Sequence, residues 1–131
     1  FDTSAFGYKL GQVPGLPERF KADEKLISTF ENAFYQTDFS KSHKIQKGTV
    51  ASGDQFISDS KKKSFIIQNF HPKCVEMEGA AIAQTCYKNQ VPFLIIRCMS
   101  DCADDNVQSV YDEEKAAGLS SEFLLEAVSK I

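Results

Sequence analysis

The chain has 131 residues, enough for one domain with its own core. A hydrophobic fraction of 42%, a charged fraction of 25% and a net charge of −3 are those of an ordinary globular protein. No apolar run approaches the roughly 20 residues of a membrane helix. The 15 basic residues form no stripe for nucleic acid, so neither a membrane nor nucleic acid is expected as a partner.

The first 20 residues, with "FGYKLGQVPGLPERF" at 6–20, are punctuated by Gly7, Gly11, Pro14, Gly15 and Pro17 and read as a loop. Its aromatic and apolar residues, Phe6, Tyr8, Val13 and Leu16, suggest a loop that packs on something, and an exposed apolar loop marks an interface. A helix follows, with Leu26, Ile27, Phe30, Ala33 and Phe34 on one stripe and Asp23 and Glu24 at its N-terminal end. After a polar stretch, "GTVASG" at 48–53 reads as a short strand. "SKKKSFIIQNF" at 60–70 reads as a helix with Phe65, Ile66 and Phe70 inward.

"CVEME" at 74–78 is a second short strand, and Gly79 opens a small-residue helix through Tyr87. "VPFLIIRCM" at 91–99 is the strongest strand signal, apolar throughout as in a parallel sheet covered on both faces. A last helix places Leu119, Phe123, Leu124, Ala127, Val128 and Ile131 on one face. Alternating strands and helices make the fold class α/β. Three strands are few beside the usual five or six, so residues 1–131 are expected to be the C-terminal part of a larger single domain.

Cys74, Cys86, Cys98 and Cys102 form no CxxC pair, and His43 and His71 are not spaced as zinc ligands. Reduced thiols in a cytoplasmic protein, with no metal and no cofactor, are the expectation.

Ligands of open α/β sheets sit beyond the carboxyl ends of the strands. Here those ends carry Phe56 and Ile57, then Glu76 and Glu78, then Arg97, Ser100 and Asp101. Each has a plain alternative. Asp101 or Asp104 caps a helix, Glu78 stabilises the helix opened by Gly79, Phe56 is core, and Arg97 makes a salt bridge. Their coincidence on one rim points to a site.

Four segments resemble one family. They are "TSAFGYKLGQVPG" at 3–15, "SGDQFI" at 52–57, "VEMEGAAIA" at 75–83 and "RCMSDCAD" at 97–104. On them the chain resembles the 5′-methylthioadenosine/S-adenosylhomocysteine nucleosidases of the nucleoside phosphorylase superfamily. The resemblance implies a three-layer α-β-α sandwich with a central mixed sheet. It also implies hydrolysis of the N-glycosidic bond between adenine and a 5′-thioribose.

By motif position, Asp101 looks like the acid that protonates N7 of adenine, and Glu78 like the acceptor of the ribose hydroxyls, with Met77 packed on the sugar. Ile57 would hold the adenine edge through its backbone, and Phe56 would stack on the base. Arg97 and Ser100 would orient the acids. Phe6 and Pro14 look like residues that reach the neighbouring subunit's 5′-thio pocket in a homodimer. The family's water-activating glutamate lies early in its chain and matches no position here, so a missing N-terminal half is the expected partner. The alternatives are a nucleoside phosphorylase or futalosine hydrolase, or a non-catalytic nucleoside-binding module on the same fold.

Overall fold

In the computed structural model, which describes residues 2–99 and 113–130, helices alternate with a short parallel pair of strands, so the class is α/β. The N-terminal segment is irregular apart from one 3-10 turn, Ser4–Phe6. That turn closes at Gly7, whose φ of 83° favours a residue without Cβ. Two residues pin the segment at its far end. Arg19 donates to Thr49 Oγ1 at 3.1 Å and to the carbonyl of Phe70 at 3.3 Å. Phe20 lies against Tyr87 with ring centroids 5.4 Å apart.

Helix α1, Glu24–Gln36, starts where the Asp23 side chain accepts the N–H of Leu26 at 2.8 Å. A capping carboxylate of this kind satisfies one of the helix's orphan donors. The apolar stripe turns Ala33 and Phe34 inward. Helix α2, Phe39–Ser42, has no counterpart in the sequence reading, where this region is simply polar. It forms because Thr37 is buried at the end of α1, its hydroxyl donating to the carbonyl of Phe34 at 2.7 Å, which turns the chain so that Phe39 packs inward.

Strand β1, Val50–Ser52, pairs in parallel with β2, Cys74–Glu76, in the register Val50–Cys74, Ala51–Val75 and Ser52–Glu76. Helix α3, Ser60–Phe70, connects them and is capped by Asp59, which accepts the N–H of Lys62 at 2.9 Å. Ile66 and Phe70, four residues apart, are half-buried, but Phe65 is 51% exposed, contrary to expectation. Phe65 stands about 100° round the helix from Ile66, outside the narrow face α3 presents. Helix α4, Gly79–Lys88, follows β2 directly and packs on β1.

Residues 91–99, the strongest strand expected, carry no ladder among the described residues. A strand needs a hydrogen-bonded neighbour as well as an apolar composition. Here the N–H of Asp23, at 2.9 Å, is bonded to the carbonyl of Phe93. Ile96 instead packs against the core made by Phe34, Ala33, Phe123 and Ala127.

Helix α5, Glu113–Val128, supplies the last two of these. Its buried stripe is the Phe123 and Ala127 pair with Leu119 half-buried, narrower than expected. Leu124 and Val128 stay exposed, and Ile131 lies outside the described residues. The Phe123 ring meets Phe34 and Phe39 edge-on, at 5.7 and 5.9 Å, an arrangement aromatic pairs favour. Among the described residues no helix is long and apolar enough to cross a membrane.

Candidate active site

Strands β1 and β2 end side by side at Ser52 and Glu76, and that pairing sets the course of the chain beyond each strand. The N–H of Gly53 donates to the carbonyl of Glu76 at 3.1 Å, holding the two exits together. After β2 the chain turns at once into α4, and the first N–H groups of α4 need acceptors. The Glu76 carboxylate supplies them. It accepts the N–H of Gly79 at 2.9 and 2.7 Å and that of Glu78 at 3.1 Å. Ser52 Oγ accepts the N–H of Ala80 at 2.8 Å and donates its own proton to Glu76. The helix start is thus capped by Glu76 and Ser52.

Glu78 occupies the cap position of α4 but makes no side-chain cap bond. The plain reading of this residue as a hydrogen-bonding helix cap therefore fails, although its charge still lies at the favourable, N-terminal end of the helix dipole. Its side chain is 63% exposed and is held on one oxygen by Arg97, whose Nη2 lies 2.7 Å from Glu78 Oε2. The same Nη2 donates to Glu76 Oε2. One guanidinium nitrogen thus bridges two carboxylates two residues apart, one with a nearly buried side chain (9% exposed) and one open to solvent.

This arrangement sets the electrostatics. Burial alone would push the Glu76 carboxyl up. The hydrogen bonds from Ser52, from the N–H groups of Gly79 and Glu78, and from Arg97 outweigh burial and hold it below the ordinary value of 4.5. Arg97 loses some solvation too, but the two glutamates raise its pKa and keep it charged. With two carboxylates and one guanidinium, the trio has a net charge of −1 when all are ionised. On β2, burial and then the Glu76 charge push the Cys74 thiol up.

The structure therefore brings Glu78 and Arg97 together, with Met77, 45% exposed, between the two glutamates in the chain. Phe56 and Ile57 lie on the loop leaving β1, a few residues beyond Ser52. Phe56 is 59% exposed and Ile57 half-buried. That loop is tied down by the Asp59 cap and by Lys62 Nζ donating to Gln55 at 3.1 Å.

Phe6, 81% exposed, and Pro14 are not joined to the carboxylates by any described contact. The segment carrying them is anchored through Arg19 at Thr49, just ahead of β1, and so at the opposite end of the strand from Ser52. Asp101 and Ser100 lie outside the described residues, as do Cys102 and Asp104.

The sequence places Glu76 on the rim without a specific role, and it assigns none to Ser52. Glu76 carries no capping signal in the sequence, because it lies two residues ahead of the cap position of α4. Ser52 is visible only once the register is known, because it is 24 residues away.

Residues 1–129 match the phosphorylase superfamily. The chain is 41% identical over 133 residues to the 5′-methylthioadenosine/S-adenosylhomocysteine nucleosidase of Bacillus subtilis, an alignment covering 99% of this chain and 56% of that protein. Its fold is similar to that of the corresponding enzyme of Neisseria meningitidis, solved in complex with methylthio-immucillin-A. The TM-score is 0.87 at 38% identity, over 100% of this chain and 57% of the other. It is also similar to the futalosine hydrolase of Helicobacter pylori, with a TM-score of 0.87 at 32% identity, over 99% of this chain and 55% of the other. The chain spans a little over half the length of these relatives.

Proposed function

Because the chain belongs to the phosphorylase superfamily, we propose that it carries the base- and ribose-binding part of a nucleosidase. This enzyme hydrolyses the N-glycosidic bond of 5′-methylthioadenosine and S-adenosylhomocysteine, releasing adenine and a 5′-thioribose. The observation that carries this reading is Glu78, which stands at a strand exit with its carboxylate relieved of helix capping and held on one oxygen by Arg97.

The chemistry asks for these residue types. Adenine leaves poorly as an anion, and protonation at N7 lets it leave neutral. Asp101 is our candidate for that acid, a role worth about 10²–10⁴-fold in rate. Positive charge grows on the ribose as the bond breaks, as in other glycosyl transfers. A carboxylate hydrogen-bonded to the ribose hydroxyls opposes that charge, and the Glu78 oxygen not bound by Arg97 suits that task. Phe56 would stack on the adenine, Ile57 would bind its edge through the backbone, and Met77 would pack on the sugar. Ser100 would steady Asp101.

In a homodimer Phe6 and Pro14 would reach the partner's 5′-thio pocket. The glutamate that activates water would come from outside residues 1–131, together with the rest of the sheet. The exposed side chains of Val75 in β2, Met77 just past it and Ile82 in α4 support such a covering, because they leave apolar surface open. We place the enzyme in the cytoplasm.

The test is release of adenine from 5′-methylthioadenosine by the catalytically competent protein, without added phosphate. Asp101→Asn is expected to lower the rate by about 10²-fold or more while nucleoside binding persists. A rate that depends on phosphate would favour a phosphorylase. The equal structural likeness to futalosine hydrolase makes futalosine the second substrate to assay, and faster turnover of it would reassign the leaving base. Binding without turnover of any nucleoside would leave a binding module.

A further inference from the structure

The nearly buried carboxylate beside the proposed ribose ligand is more elaborately held than a helix cap requires. Gly79 and Ala80 need acceptors, and Glu76 serves the first while Ser52 serves the second. Glu76 does more: it also accepts from Arg97 and from the backbone N–H of Glu78. Both are groups of the proposed catalytic set.

We propose that Glu76 is a positioning residue for ribose recognition, one that fixes the peptide carrying Glu78 and draws Arg97 away from full engagement with the Glu78 carboxylate. The inference rests on the nucleosidase reading above and deepens it.

The geometry carries two separate parts of this claim. First, the Glu76 carboxylate grips the Glu78 and Gly79 N–H groups at once, which fixes the peptide planes on either side of Glu78 Cα. Those planes in turn set the direction of the Glu78 side chain. Second, Arg97 prefers to close on a carboxylate with two parallel bonds. Here Nη2 is shared between Oε2 of Glu76 and Oε2 of Glu78, and Glu78 Oε1 takes no bond from the described residues. Without the Glu76 charge, Arg97 is free to take both Glu78 oxygens, and the ribose hydroxyls lose their acceptor.

Gly79 belongs to the same device. A Cβ at residue 79 would stand 2.9 Å from Glu76 Oε1 and 3.1 Å from Oε2, too close for the carboxylate to stay where it is. Its φ lies outside the left-handed region, so the need for glycine here is one of space.

The experiment compares 5′-methylthioadenosine with its 2′-deoxy counterpart in the wild-type protein and in Glu76→Gln. The side chain keeps its size, but its negative charge is gone. Turnover of the ribose substrate is expected to fall about 10²-fold, the scale of a roughly 1 Å misplacement. The 2′-deoxy substrate, which already lacks one hydroxyl contact, is expected to fall much less. Adenine alone, measured by calorimetry, should bind as before.

If Glu76→Gln does not fold, Gly79→Ala makes the same test with the charge retained. Alanine suits a helix better than glycine, and the same hydroxyl-dependent loss is expected. Equal losses on both substrates would reduce Glu76 to a structural cap, and unaltered turnover would remove any role for it. Either result overturns the proposal while wild-type turnover keeps the nucleosidase reading intact. A wild-type protein that releases no adenine from either substrate overturns both.

Discussion

The corner built by α1, α2 and α5 and the rim at the ends of β1 and β2 are held by opposite means. At the corner, Phe123 and Ala127 close against Ala33 and Phe34 with no charge involved. At the rim, one serine, two glutamates, one arginine and the first turn of α4 hold each other through directed bonds. Apolar packing is non-directional and degrades in proportion to the volume removed. A polar network degrades by whole bonds, because each partner removed leaves another unsatisfied. Residues 91–99 join the two regions, with Phe93 bonded to the start of α1, Ile96 on the corner's core and Arg97 in the network.

The largest effect expected from breaking the corner is that of Phe123→Ala, about 3–5 kcal/mol of stability, read from denaturant unfolding. The ring is 8% exposed and meets two other aromatics edge-on, so no neighbour fills the gap it leaves. Turnover per folded molecule should be unchanged, because no polar bond of the rim depends on this ring. A large fall in turnover of the folded fraction would mean that strain passes through Ile96 to Arg97.

A finer comparison uses two like caps, one in each region. Asp23 caps α1 at the corner and Asp59 caps α3 beside the loop of Phe56 and Ile57, each through an accepted N–H of 2.8 to 2.9 Å. Replacing either by alanine should cost about 1 kcal/mol. Only Asp59→Ala should also raise KM for the nucleoside, since it loosens the proposed base-stacking loop. If both variants raise KM equally, that loop is not part of the site.

What the sequence discloses divides along the same line. The corner was legible because helical periodicity is local: the stripe from Leu26 to Phe34 names its own inward face. The α/β alternation was legible for the same reason, and so were both short strands. The segment 91–99 misled because apolar composition is a property of one segment, whereas a strand needs a neighbour. Phe65 misled because three consecutive apolar residues do not say which of them α3 turns inward.

At the rim, "VEMEG" presents two glutamates. Motif position singles out Glu78, but only the fold shows that Glu76 meets the N–H groups of α4 and Glu78 does not. The roles proposed for Asp101 and Ser100 rest on the motif they share with a known family alone, and both lie outside the described residues.

The smallest effect expected separates the two regions by acidity. The Glu76 carboxyl is held below its ordinary value of 4.5 because, against the opposing pull of burial, its hydrogen bonds favour the charged form. A group depressed on folding adds stability that is present in full above its unfolded pKa. That stability is lost as pH falls through the folded one. The stability difference between the wild-type protein and Glu76→Gln should therefore be level from pH 8 down to about 5 and shrink steadily below about 4.5. The cost of Phe123→Ala, which involves no titrating group, should stay level over the same range. Thermal unfolding of the three proteins across that range makes the measurement. A Glu76→Gln difference that is flat down to pH 3 would mean that the carboxylate is not the charged hub of the rim. The Arg97 bridge would then have to be carried by Glu78 alone.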